Sequence, residues 1–130
     1  MTAHDVDPLA TIDRYFAAMR QGRDAETDMM ALFADDAVYI EPFSGGAEPA
    51  EGKAAILARL RGGWEAPLPD MELDVRSVDV QGSHATSQWE CRSSAFPAPV
   101  QGRDTYEFDA NGLIVRLEVE IIQRSSDATR

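Results

Sequence analysis

The spacing of apolar residues changes once along the chain, from a helical period to a period of two. Near the start, Leu9, Ile12, Phe16 and Met19 recur at helical spacing. Asp7 is suited to cap this first helix, Pro8 to its first position and Gly22 to its end. A shorter second helix is expected over residues 25–34, with Met29, Met30, Leu32 and Phe33 on its buried side and Asp35-Asp36 ending it. Residues 38–41 read as a short strand, which Pro42 closes by holding Glu41 extended. Residues 42–51 are rich in Gly and Pro and read as a loop. A third helix, residues 53–61, carries Ile56, Leu57 and Leu60 and should stop at Gly62-Gly63.

The second half alternates. Met71, Leu73 and Val75 are in one phase and Val78 and Val80 in the other, which predicts a bulge near Arg76-Ser77. Ala85, Ser87, Trp89 and Cys91 share a face, opposite Thr86, Gln88, Glu90 and Arg92. Gly102, Asp104, Tyr106 and Phe108 share another, and Asp109-Ala110-Asn111-Gly112 is a hairpin turn. The last strand should turn Leu113, Val115, Leu117, Val119 and Ile121 inward, and Arg116, Glu118 and Glu120 outward. Helices gathered on one face of a curved antiparallel sheet make an α+β architecture with about three helices. The curvature leaves a conical hollow, the kind of place where small ligands bind.

At 130 residues this is one domain, with its core over about residues 8–122 and polar tails at either end. The charge of -11 argues against nucleic acid and against anionic membranes. No apolar run reaches a membrane span, and the N-terminus has no secretory pattern, so a cytoplasmic protein is expected. Cys91 is the single cysteine, which excludes an internal disulfide. His4 and His84 sit in no spacing that would bind metal, and no Gly-rich phosphate loop is present.

Several segments together resemble the nuclear transport factor 2-like superfamily, in its SnoaL-like and ketosteroid isomerase branch. They are Arg14-Tyr15-Phe16-Ala17-Ala18, Leu32-Phe33-Ala34-Asp35-Asp36-Ala37-Val38, Glu41-Pro42-Phe43, Glu51-Gly52-Lys53-Ala54-Ala55-Ile56 and Arg103-Asp104-Thr105-Tyr106-Glu107-Phe108. The resemblance implies a cone-shaped, cystatin-like α+β roll. It also implies roles: Tyr15 as a donor to an oxyanion, Asp104 as a second donor that stays protonated, and Glu41 as the base. The implied reaction is a double-bond isomerisation by proton transfer on a hydrophobic ketone such as a steroid, with no metal or organic cofactor.

Inward placement of Asp104 beside Tyr106 and Phe108 agrees with a neutral acid; an ionised acid paired with an arginine is the other reading. Arg103, on the opposite face, is not the obvious partner. The sequence departs from the isomerases at Glu41, where they carry Asp, and at Leu60, where a supporting tyrosine would stand. Phe33, Phe43, Leu60, Trp64, Trp89, Phe96 and Phe108 are candidates to line the hollow, with Trp64 and Phe96 nearest its mouth. A polyketide cyclase, an epoxide hydrolase or a non-catalytic binding or dimerisation module of the same fold are the alternatives. The adjacency of Arg103 and Asp104 counts against the hydrolase. The mixed charges on the outer sheet face, with the resemblance, imply a homodimer.

Overall fold

The computed structural model describes residues 7–42 and 48–124. Helix α1 spans Pro8–Gln21, with the Asp7 carboxylate accepting from the Leu9 N–H at 3.3 Å and Gly22 closing it at φ 76°. Ile12, Tyr15, Phe16 and Ala18 form its buried side.

The second helix is shorter than the sequence pattern predicts. A 3-10 turn, Gly22–Ala25, leads into α2, Glu26–Met30, and strand β1 already begins at Phe33 (Phe33–Ile40). Pairing decides this: Phe33 lies opposite Ile114, whose N–H donates to the Leu32 carbonyl at 2.9 Å. A ladder formed with a distant strand outweighs a weak local helical preference. Two residues of the expected loop form strand β2, Ala50–Glu51.

Helix α3 runs Lys53–Glu65, through Gly62-Gly63 instead of stopping there. Each helical glycine costs about 1 kcal/mol. Contacts beyond and before the pair offset this: Trp64 packs against the core, and Arg61 forks onto the Glu26 carboxylate at 2.9 and 2.7 Å.

The remaining strands are β3 (Glu72–Gln81), β4 (His84–Arg92), β5 (Val100–Phe108) and β6 (Ile114–Arg124). They form one six-stranded sheet in the order β2-β1-β6-β5-β4-β3, antiparallel except for the parallel pair β1 and β6. The expected bulge appears between Val75 and Ser77. Another lies between Glu107 and Phe108, opposite Arg116 and Ile114, which inserts Val115 as an extra residue. It shifts the phase of the last strand, so Ile114 is buried whereas Leu113 and Val115 are only half-buried.

Helices α1 and α3 share the core with the inner face of the sheet. On the outer face Glu90 is buried between Arg76 and Arg92, and Arg92 also pairs with Asp74 and Glu72. The pairs of Arg76 with Glu90 and of Arg92 with Asp74 and Glu72 cross between β3 and β4.

Candidate functional site

Register places the acid at the centre of the inner face. Ser87 lies directly opposite Asp104, and Trp89 opposite Gly102, on adjacent strands β4 and β5. Gly102 has no side chain, so the Trp89 ring lies over its Cα and the indole reaches along the strand. Its Nε1–H donates to Asp104 Oδ1 at 3.0 Å. Ser87 Oγ and the Tyr106 hydroxyl each lie 3.1 Å from Asp104 Oδ2, and 2.8 Å from each other.

Asp104 is 1% exposed. Burial pushes its carboxyl up to about 6, against the three hydrogen bonds from Trp89, Ser87 and Tyr106, which favour the charged form. A proton count supports the neutral state. With both hydroxyls donating to an ionised Oδ2, their mutual 2.8 Å contact has no proton; in the neutral acid Oδ2–H donates to one hydroxyl, that hydroxyl to the other, and the other back to Oδ2, which fills all three contacts.

Beside this cluster sits a second one. Tyr15, from α1, meets Tyr106 edge to face, with ring centroids 6.1 Å apart. Tyr39, on β1, is buried beside Tyr15, near enough for each phenol to shift the other's titration. Burial raises both phenols well above the usual range, and nearby acidic groups, Asp104 among them, add to it. Tyr39 and Glu41 lie two residues apart and both turn inward. Arg59, from α3, donates from Nη1 to Glu41 Oε2 at 2.8 Å and from Nη2 to the Glu48 carbonyl at 2.5 Å.

The structure therefore gathers Tyr15, Glu41 and Asp104 into one buried region, linked through Tyr39, which is coupled electrostatically to both acids. Phe33, Leu60, Trp89 and Phe108 are buried core residues, and Phe108 stacks on Tyr106 at 5.9 Å. Trp64 is half-buried near Gly22. Phe96 is half-buried on a surface hollow of about 370 Å³, with Arg92 and Pro97. Phe43 lies outside the described residues.

A side chain lining an open chamber keeps accessible surface. Tyr15, Tyr39, Tyr106 and Asp104 keep 5% or less, so among the described residues their own packing takes up the space the sheet encloses. A hollow of about 410 Å³ lies between α1 and α2 against Arg14, Ala17 and Ala25, and none of the three candidate catalytic groups lines it.

Sequence reasoning missed Tyr39, Ser87 and Arg59. Tyr39 had a signal, since it precedes Glu41 by two on the same strand. Ser87 and Arg59 had none, because their partners are set by register and by the placement of α3. Among the described residues no three His, Cys, Asp or Glu side chains are placed to hold a metal ion. The groups present, an ion-paired carboxylate, a buried acid and neutral phenols, are equipped to accept and donate protons.

Comparison with known proteins agrees with the architecture. The family model described as a SnoaL-like domain matches residues 12–117. No curated protein matches the chain. A candidate ketosteroid isomerase from Kribbella flavida superposes with a TM-score of 0.71 at 21% identity, over 89% of this chain and 78% of that one. A candidate SnoaL-like polyketide cyclase from Jannaschia sp. CCS1 gives 0.73 at 15% identity, over 93% and 89%. A protein of unknown function with a cystatin-like fold from Methylobium petroleophilum gives 0.72 at 21%, over 89% and 76%. At these identities the structures speak to the fold alone. With a family match across most of its length, the chain belongs to the SnoaL-like domain family.

Proposed function

We propose that this chain is a cofactor-free acid–base enzyme that moves a proton beside the carbonyl of a hydrophobic ketone, as a ketosteroid isomerase does. The observation that carries the reading is the buried Asp104, an acid whose hydrogen-bond partners among the described residues are the Trp89 N–H and the Ser87 and Tyr106 hydroxyls, and whose carboxyl is raised to about 6.

In this reaction Glu41 takes a proton from the carbon next to the carbonyl. The C–H electrons form the enolate double bond, and negative charge moves to the carbonyl oxygen. The Tyr15 hydroxyl donates to that oxygen, and so does Asp104 in its protonated form, the form favoured below about pH 6, in surroundings too dry for water to compete. Glu41 then returns the proton at the far end of the conjugated system, which shifts the double bond and restores both groups. Tyr15 must turn out of its packing, and Asp104 must turn its proton out of the Ser87–Tyr106 triangle, so the substrate enters by displacing side chains packed in the closed state. The same groups would serve an aldol cyclisation.

The filled interior favours a second reading, a non-catalytic module in which the polar cluster is structural. Conversion of a β,γ-unsaturated ketosteroid, and of a smaller β,γ-enone, followed by absorbance of the conjugated product separates the two. The protein should turn over at least one, and Glu41→Gln should cost about 100-fold or more. No turnover, or Glu41→Gln equal to the parent, overturns the enzyme reading.

A further inference from the structure

We infer that Arg59 is the positioning residue of the Glu41 base, holding both the direction and the charge of its carboxylate. The inference rests on the proton-transfer reading for its purpose, but its geometry stands by itself.

Glu41 lies one residue beyond the end of β1 and directly before Pro42. The antiparallel ladder on that side has already ended, its last pairs being Val38 with Glu51 and Tyr39 with Ala50. The backbone there gives the side chain less guidance than a mid-strand position would. Arg59 supplies a fixed reference from another element. It sits on α3 between Ile56 and Leu60, which are buried in the core and anchor that helix.

Its planar fork uses separate nitrogens for separate targets. Nη1 holds Glu41 Oε2 at 2.8 Å and Nη2 holds the Glu48 carbonyl at 2.5 Å. Two anchors from one rigid plane restrain rotation in a way that a lysine ammonium does not. The Glu41 side chain is 5% exposed and that of Arg59 is 23% exposed, so the carboxylate is dry while the cation keeps some contact with water. Burial disfavours a charged carboxylate, and a cation at contact distance favours it.

Among the described residues, the titratable groups around this carboxylate come from several packed elements. They are Arg59 from α3 and Tyr39 on β1, with Tyr15 from α1 and Asp104 and Tyr106 from β5 behind Tyr39. The phenols are held neutral by burial, so Arg59 is the cation of this set.

The test compares Arg59→Gln and Arg59→Lys by two readouts. In the first, the acidic limb of the kcat/KM profile on the converted enone should move up by about one pH unit or more in Arg59→Gln. Its kcat should fall about tenfold or more, with a smaller change in KM. Arg59→Lys should leave the limb near that of the parent and still lose kcat, because the charge returns without the fork. The second readout needs no turnover. It is the carbon-13 titration of the Glu41 carboxyl, assigned by its loss in Glu41→Gln, and its midpoint should rise in Arg59→Gln but not in Arg59→Lys.

A midpoint unchanged in Arg59→Gln overturns the inference, whether or not the protein is an enzyme. A parental kcat in Arg59→Lys overturns the positioning part. Absence of turnover in every form, with the midpoint moved in Arg59→Gln, leaves Arg59 in control of Glu41 and removes only the catalytic reading. Should Arg59→Gln not fold, while Glu41→Gln/Arg59→Gln does, the buried carboxylate that has lost the Arg59 guanidinium is the cause, which supports the inference; failure of both overturns it.

Discussion

The Trp89 indole reaches Asp104 by lying across Gly102, and its Nε1–H donates to Asp104 Oδ1 at 3.0 Å. The tryptophan contributes twice: its ring covers the strand where a side chain is missing, and its N–H replaces part of the hydration that the buried carboxyl gives up. Among the described residues Asp104 makes no ion pair, and its neighbourhood is built from neutral donors. Such a neighbourhood leaves a carboxyl free to be neutral, which a paired arginine would not.

Gly102→Ala tests the packing half of that relationship. An added Cβ would overlap the Trp89 ring, and neither the strand nor the ring has room to move without cost. Overpacking of this kind costs about 1–3 kcal/mol. Chemical denaturation should show that loss, and tryptophan fluorescence should shift as the indole is displaced.

Asp104→Asn tests the protonation state. The folded carboxyl titrates at about 6, above its ordinary value of 3.8, so the folded protein holds the proton more tightly than the unfolded chain does. Stability from this group is therefore full below the unfolded value and falls as pH rises towards about 6. The penalty above that pH is on the order of 3 kcal/mol. Asparagine has the shape of the neutral acid and does not titrate. The stability of Asp104→Asn relative to the parent should thus rise between pH 4 and 6 and level off above (about the window between the two values). A flat difference across that window would mean that the acid is ionised throughout.

Trp89→Phe separates the N–H from the ring. The indole bond favours the charged carboxylate, so its loss should raise the Asp104 midpoint beyond about 6 in an NMR titration. Lost hydrogen bonds to a charged group cost about 1.5–3 kcal/mol, so stability at neutral pH should drop within that range if the carboxyl is ionised there.

Tyr15→Phe and Asp104→Ala address ligand recognition. A phenolic steroid mimics the enolate oxygen, and its binding should weaken in each variant, by about tenfold for one lost hydrogen bond. Isothermal titration gives the affinities, and parental affinity in both variants would remove these groups from the oxyanion site.

Much of this molecule is legible along the chain. The cap, start and stop of α1 follow from Asp7, Pro8 and Gly22, and the inward faces of β4 and β5 follow from simple alternation. The phase change at Val75 announces its bulge. Each is a local property, set by residues within a turn or two of one another.

The site is not local. Ser87 and Asp104 are 17 residues apart, and Glu41 and Arg59 are 18 apart. Their meeting depends on strand register, on where bulges insert a residue and on the path of α3 past its glycines. The same kind of distant pairing turned Phe33 and Ala34 from helix into strand, and the Val115 bulge made Ile114 the buried residue. The sequence by itself determined which side chains turn inward along α1, β4 and β5, because pleat and helix have short fixed periods. Only the tertiary structure decided that Asp104 would meet hydroxyls and an indole while Glu41 met a guanidinium, because those partners are chosen by packing between distant elements.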